Sequence, residues 1–100
     1  PMIRHIVLWK LGADDADTRA LHAEKVSADL MALRGVVPEI LDITVAPNAA
    51  YAGQNWDIGL IADFADIEAL ERYVVHPRHQ EVVAYVRSVV SDRASVDFKL

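Results

Sequence analysis

The sequence contains no cysteine among its 100 residues, and it has only four glycines and four prolines. Without cysteine the protein has no disulfides, no thiolate nucleophile and no zinc site with sulfur ligands. A chain of this length is too short for two hydrophobic cores, and without disulfides it depends on apolar packing for stability. We therefore expect one globular domain over residues 2–100, with a reducing cytoplasm as its natural setting.

Positive charge is scarce and unevenly distributed. Ten Lys and Arg stand against fifteen Asp and Glu, which gives a formal net charge of −5. From Gly35 to Glu71 there are seven acids and no Lys or Arg, so this stretch offers no cation to an anionic substrate. Nucleic acids and anionic membranes are bound through clustered basic side chains, and we expect neither partner. No apolar run approaches the roughly 20 residues that span a bilayer.

The apolar spacing predicts the element order β-α-β-β-α-α-β in one α+β domain. Alternating β-branched and aromatic residues indicate the strands, and apolar residues at helical spacing indicate the helices. This order is typical of a ferredoxin-like, split βαβ fold, in which helices cover one face of a single sheet. The predicted strands are residues 3–11, 40–46, 56–64 and 95–100, and the predicted helices are residues 18–34, 67–75 and 77–90.

Local signals predict where the helices end. Gly35 is a C-terminal stop for the first helix, and Asp66 is an N-cap for the second. The pair His76-Pro77 ends the second helix, because a proline disfavours helical conformation at the residue before it. Pro77 then opens the third helix as its first residue.

The first predicted strand is apolar on both faces. Alternation places His5, Val7 and Trp9 on one face, and Ile6 and Leu8 on the other. Because helices cover only one face of the predicted sheet, the other face needs a partner. A homodimer that joins two such sheets would bury it.

Five segments of the chain, in their order and spacing, resemble the stress-responsive A/B barrel (Dabb) family. The resemblance extends from Met2 to Phe98; each segment is weakly specific alone, whereas the ordered set is specific. Glu39 departs from the family pattern, which commonly has glycine there. The segments are MIRHIVLWKL from residue 2, VPEI from residue 37, FADIEAL from residue 64, YVVHPRH from residue 73 and VDF from residue 96.

This resemblance implies a ferredoxin-like protomer that pairs into a dimeric α+β barrel. Most family members have no assigned activity, whereas a few olivetolic acid cyclase-like members close polyketide chains by an intramolecular aldol reaction without a cofactor. The resemblance therefore implies a cofactor-independent, cyclase-like enzyme acting on a small apolar carbonyl compound. The alternative is a non-enzymatic stress-responsive dimer or a small-ligand-binding module. A cofactorless oxygenase is a third hypothesis, which rests on analogy of fold alone.

The segment from Tyr73 to His79 contains the candidate catalytic residues. His79 falls in the first turn of the third predicted helix, where the helix dipole disfavours the imidazolium ion and leaves the neutral ring that a general base needs. Tyr73 lies upstream, where its hydroxyl could donate a hydrogen bond to a developing enolate oxygen. The matching histidine and tyrosine have these roles in the cyclase, which the resemblance transfers to this chain. The structural alternative is that His76 caps the helix, His79 bonds to the backbone and Tyr73 only packs.

The candidate substrate-binding residues are His5, Val7, Trp9, Asp57 and His76. His5 shares a strand face with Val7 and Trp9. It either lines a pocket and orients a carbonyl group, or is a hydrogen-bonded histidine of the core or the dimer interface, the interpretation that its apolar neighbours favour. Asp57 stands where the cyclase has a histidine, and a carboxylate there would hold an imidazole or a cation but repel an anionic substrate.

The sequence predicts no bound metal and no cofactor. His76 and His79 lack the i, i+4 spacing and the intervening glutamate of the zincin helix. There is also no glycine-rich phosphate loop and no nucleophile elbow centred on serine. Histidine is therefore the main candidate base of the protein.

Overall fold

The computed structural model describes residues 1–100 as a four-stranded antiparallel sheet with three helices. The strand order across the sheet is β2-β3-β1-β4, so that β1 pairs with both β3 and β4. This is the α+β, ferredoxin-like arrangement that the sequence predicts. The elements are β1 (Ile3–Leu11), α1 (Ala16–Met31), β2 (Asp42–Pro47), β3 (Ile58–Phe64), α2 (Ile67–Val75), α3 (Pro77–Val89) and β4 (Val90–Lys99).

Strand β1 lies inside the sheet and shows the alternation that its sequence predicts. On the inner face, toward the helices, Val7 is 1% exposed and Trp9 is 6% exposed. On the opposite face Ile6 and Leu8 are only half-buried. Twenty buried apolar residues form one core. Its largest fully buried side chains include Tyr73, Phe64, Leu30, Ile43, Ile58 and Leu60.

Side-chain caps determine where α1 and α2 begin. Asp15 Oδ2 accepts a hydrogen bond of 2.9 Å from Thr18 N, and Asp66 Oδ1 accepts one of 2.8 Å from Ala69 N, which confirms the predicted cap of α2. Helix α1 begins and ends earlier than predicted, and Gly35 lies in the turn that follows it. The φ of Gly35 is +80°, a left-handed conformation that glycine adopts without strain. None of the helices is both long and apolar enough to cross a membrane.

Three strands begin at other positions than the sequence predicts. Strands β2 and β3 each begin two residues later, at Asp42 and Ile58. Strand β4 begins at Val90, five residues before the predicted start. Its polar first half carries no alternating apolar signal, and its extended conformation comes from pairing with β1, where Arg93 stands opposite Trp9. As an edge strand, β4 stays largely exposed.

The outer face of the sheet, away from the helices, is apolar at its centre. Ile6 stands between two cross-strand neighbours, Ile61 on β3 and Val96 on β4, which are 47% and 52% exposed. Phe98 on the same face is 40% exposed. Single exposed apolar residues are ordinary, but a contiguous group of them is typical of a contact surface.

Candidate active site

A cavity of about 350 Å³ lies between the inner face of the sheet and the helices, and nine of its fourteen lining residues are hydrophobic. The first strand contributes His5, Val7 and Trp9, α2 contributes Tyr73, and α3 contributes His79. The structure thus brings five of the seven predicted site residues to one cavity. A cavity of this size and lining suits a small apolar ligand with a few polar groups.

The backbone fixes which nitrogen of His79 can act as a base. His79 lies in the first turn of α3, directly after the break that separates this helix from α2. Its Nδ1 lies 3.0 Å from the carbonyl oxygen of Val74. A carbonyl oxygen can only accept, so Nδ1 carries the proton and Nε2 keeps its lone pair. The structural alternative predicted that His79 bonds to the backbone. The same bond to Val74 leaves Nε2 free to act as a base.

The surroundings of His79 keep its ring uncharged. Burial lowers its pKa below the ordinary value of 6.5, and the charges of His5, Arg93 and His76 lower it further, against the opposing effect of the bond to Val74. The imidazole is therefore neutral at neutral pH. A neutral ring with a free Nε2 is the form that accepts a proton from a substrate.

Tyr73 is the second reactive group of the cavity. Its side chain is almost completely buried, at 1% exposure, and burial raises its pKa to about 12. Its ring packs on the His79 ring, with centroids 4.1 Å apart and planes inclined by 34°. The hydroxyl thus stays protonated and is able to donate a hydrogen bond, while its ring contacts the candidate base.

His5 fits both interpretations that the sequence left open. It is 8% exposed and lines the cavity, and its Nδ1 is hydrogen-bonded to Asp97 Oδ1, across the pairing of β1 with β4. A carboxylate only accepts when ionised, so this bond directs the Nδ1 proton toward Asp97. Phe64 packs near both rings: its ring centroid lies 6.4 Å from that of His5 and 5.0 Å from that of Tyr73.

Asp57 is not brought to the cavity. Its Oδ2 accepts a hydrogen bond of 2.7 Å from the backbone nitrogen of Leu11, and its own backbone nitrogen donates to the carbonyl oxygen of Trp9 at 2.8 Å. The pairing of β1 with β4 shifts register between Lys10 and Leu11. The Leu11 amide is therefore satisfied by the Asp57 side chain, which holds the end of β1 and lines a separate pocket beside Lys10 and Asn48.

His76 also lies outside the cavity lining. Its Nδ1 accepts a hydrogen bond of 3.1 Å from Arg78 N and caps α3, as the structural alternative predicted for this residue. Neither His76 nor Asp57 lines this cavity, and each uses its side chain on a backbone amide. No three His, Asp or Glu side chains are grouped so that they could hold a metal ion.

Arg87 and Arg93 are lining residues that the sequence analysis missed. Arg93 lies in the part of β4 that was not predicted as a strand, opposite Trp9 on the inner face. Its charge lowers the pKa of both Tyr73 and His79. The signal that could have found it is alternation: extending the last strand backward from Asp97 by steps of two reaches Arg93.

Known structures share this fold across the whole chain. A dimeric protein of unknown function with a ferredoxin-like fold from Bacteroides fragilis is 27% identical, with a TM-score of 0.90 over 99% of this chain and 96% of that one. A hydroxynitrile lyase from Passiflora edulis is 12% identical, with a TM-score of 0.78 over 97% and 91%. SnoaB, a cofactor-independent oxygenase from Streptomyces nogalater, is 16% identical, with a TM-score of 0.75 over 99% and 92%. No curated protein matches the sequence.

The sequence resemblance is confirmed at the level of the family. The model of the Stress responsive A/B Barrel Domain matches residues 3–100, and this range contains every element of the fold and every residue of the cavity. The hydroxynitrile lyase and the oxygenase are so distant in sequence that the comparison shows only a fold in common with this chain. The chain therefore belongs to the stress-responsive A/B barrel (Dabb) family.

Proposed function

We propose that the protein is a cofactor-independent, polyketide-cyclase-like enzyme that removes a proton next to a carbonyl group of a small apolar compound. One observation carries the proposal: a neutral histidine and a protonated tyrosine pack against each other on the wall of an apolar cavity. General-base catalysis of enolate formation needs this pair of groups, one to take the proton and one to stabilise the oxygen that gains charge.

The proposed step uses His79 as the base and Tyr73 as the donor. Nε2 of His79 takes a proton from the carbon next to the carbonyl. The electron pair of the broken C–H bond moves toward the carbonyl oxygen and forms an enolate, which accepts a hydrogen bond from the Tyr73 hydroxyl. His5, held by Asp97, positions the carbonyl-bearing part of the compound.

An aldol closure would complete the reaction. The enolate carbon attacks a second carbonyl of the same molecule, a C–C bond forms, and the proton held on His79 passes to the new alkoxide. The two fold relatives support this class of chemistry only in general terms. One is named as a lyase and the other as an oxygenase that needs no cofactor.

The proposed functional unit is a homodimer. The outer face of the sheet exposes Ile61, Val96 and Phe98 around Ile6, and a second copy of that face would cover it by two-fold symmetry. The Bacteroides fragilis protein with the same fold is dimeric. In this arrangement the helices and the cavity lie on the far side of each sheet from the contact.

The experiment measures exchange of the proton next to the carbonyl for deuterium, by NMR, over a panel of small ketones, β-keto acids and their esters. Wild-type protein is expected to exchange at least one compound, and His79→Ala is expected to lose that activity while the dimer is retained. His22→Gln, on the distant helix α1, is the matched histidine control and should keep full activity. If wild-type protein exchanges no compound of the panel, the enzyme proposal fails and a binding or structural role stands.

A further inference from the structure

The charged side chains that line the cavity are all basic, whereas Asp97, which is bonded to His5, is not a lining residue. Among the fourteen lining residues are two arginines, Arg87 and Arg93, and no aspartate or glutamate. The chain as a whole has fifteen acids and ten basic residues. The protein as a whole has a surplus of acids, yet the charged side chains of this cavity are cations. A cationic lining of this kind favours a ligand with an anionic group.

Four of the other five arginines have carboxylate partners, and the fifth, Arg19, donates to the backbone carbonyl oxygens of Ala13 and Asp14. Arg4 pairs with Asp63 at 2.9 Å, and Arg72 pairs with Glu39 at 3.0 Å. Arg34 and Arg78 pair with carboxylates as well. Arg87 and Arg93 form no such pair.

Arg93 is placed to meet a ligand. It is exposed on the edge strand, it stands opposite Trp9 on the inner face, and its Nη1 donates to Ser95 Oγ at 3.2 Å. The remaining donors of its guanidinium stay free. Its charge acts on both Tyr73 and His79, so it lies within electrostatic reach of the reacting groups.

We propose that the ligand of this cavity carries a carboxylate beside its apolar body, and that Arg93 binds this carboxylate with Arg87 as a second cation. A guanidinium matches a carboxylate in two parallel hydrogen bonds, which fixes the orientation of the ligand as well as its position. The apolar body lies against Leu60 and Val86 deeper in the cavity. The inference rests on the proposed function for its account of the reaction, but the binding it predicts does not require turnover.

Carboxylate binding reverses the expectation from the sequence that an anionic substrate is disfavoured. The stretch from Gly35 to Glu71 provides no cation, but the cavity receives its cations from α3 and β4. Asp57, which would repel an anion, is turned to the backbone of β1. An anionic carbonyl compound, such as a keto acid with an aliphatic tail, therefore fits the site in charge and polarity.

The experiment compares two probes of nearly the same shape by calorimetric titration. Octanoate carries a negative charge, and octanamide is uncharged. Wild-type protein is expected to bind octanoate about tenfold or more tightly than octanamide, since a charge-assisted bidentate contact is lost in the amide. Arg93→Gln is expected to abolish this preference and leave octanamide binding unchanged. Arg34→Gln, in the turn after α1, removes a surface arginine away from the cavity and should keep the preference.

The outcomes separate this inference from the proposed function. Equal binding of the two probes by wild-type protein overturns it, and so does a preference that survives Arg93→Gln. A loss of affinity for both probes in Arg93→Gln also overturns it, because that result indicates a structural role. His79→Ala should lose proton exchange but still prefer octanoate. Wild-type protein that prefers octanoate but exchanges no compound of the panel refutes the enzyme proposal alone.

Discussion

At the scale of single residues, the backbone around α2 and α3 decides the chemistry of the histidines. His76 and His79 are three residues apart, yet one accepts a hydrogen bond from an amide and the other donates one to a carbonyl. This difference leaves Nε2 of His79 as the free base and makes His76 a cap. The sequence placed both residues near the site and gave the cap and the backbone bond as its structural alternative. It could not choose between that alternative and the catalytic one, because the choice depends on where the chain bends.

Tyr73→Phe separates oxyanion stabilisation from packing. The hydroxyl is removed while the buried ring and its contact with His79 remain, so the free energy of unfolding should stay within about 1 kcal/mol of wild type. The rate constant kcat should fall about 100-fold or more, as expected for the loss of an oxyanion donor. Steady-state kinetics and urea unfolding measure the two effects. An unchanged kcat would remove Tyr73 from the mechanism.

The pH dependence of the reaction should report the neutral form of His79. Its pKa is lowered below 6.5 by burial and neighbouring charge, so kcat/KM should be flat above this value and fall as pH decreases through the lowered pKa. The unfolded chain binds the proton more readily, so the free energy of unfolding should also decrease below about pH 6.5. A rate profile that rises as pH falls through this range would contradict the assignment of His79 as the base.

At the scale of elements, the sequence predicted the helices and the other three strands better than the edge strand β4. The β1 alternation and the His76-Pro77 break are local signals, and both are present in the structure. Strand β4 begins at Val90 because β1 pairs with it, and its polar first half has no apolar alternation that predicts this. Arg93 was missed for the same reason, and with it the positive charge of the cavity.

Two variants at the junction of α2 and α3 test whether His76 acts as a helix cap or through its imidazole ring. His76→Ala removes the acceptor for Arg78 N and should lower the free energy of unfolding by about 1 kcal/mol. His76→Asn keeps a side-chain acceptor and should retain both stability and most of the activity. Thermal unfolding and kinetics of the two variants provide the comparison. Equal loss of activity in both, with the stability of His76→Asn preserved, would support His76 as a substrate-binding residue.

At the scale of the whole molecule, the sheet divides the protein into two surfaces with different roles. The inner face carries the cavity, with Tyr73 and His79 provided by the helices across it. The outer face carries the apolar group around Ile6. The sequence predicted this division, because β1 is apolar on both faces while helices suffice to cover only one.

Ile61→Asp tests the proposed dimer contact. Two-fold symmetry would bury two unpaired carboxylates in each dimer, so the dissociation constant should rise by about 100-fold or more. Leu21→Asp, an exposed apolar residue of α1, is the matched control and should leave the dimer intact. Analytical ultracentrifugation measures both variants. Unchanged association of Ile61→Asp would place the contact elsewhere on the molecule.

The most direct test of the account is the protonation state of His79, measured by nitrogen NMR of the protein labelled with ¹⁵N in histidine. The bond to Val74 and the burial of the ring predict a proton on Nδ1, an unprotonated Nε2 at neutral pH and a titration midpoint below 6.5. A proton on Nε2, or a midpoint above 6.5, would contradict the assignment of this histidine as the general base.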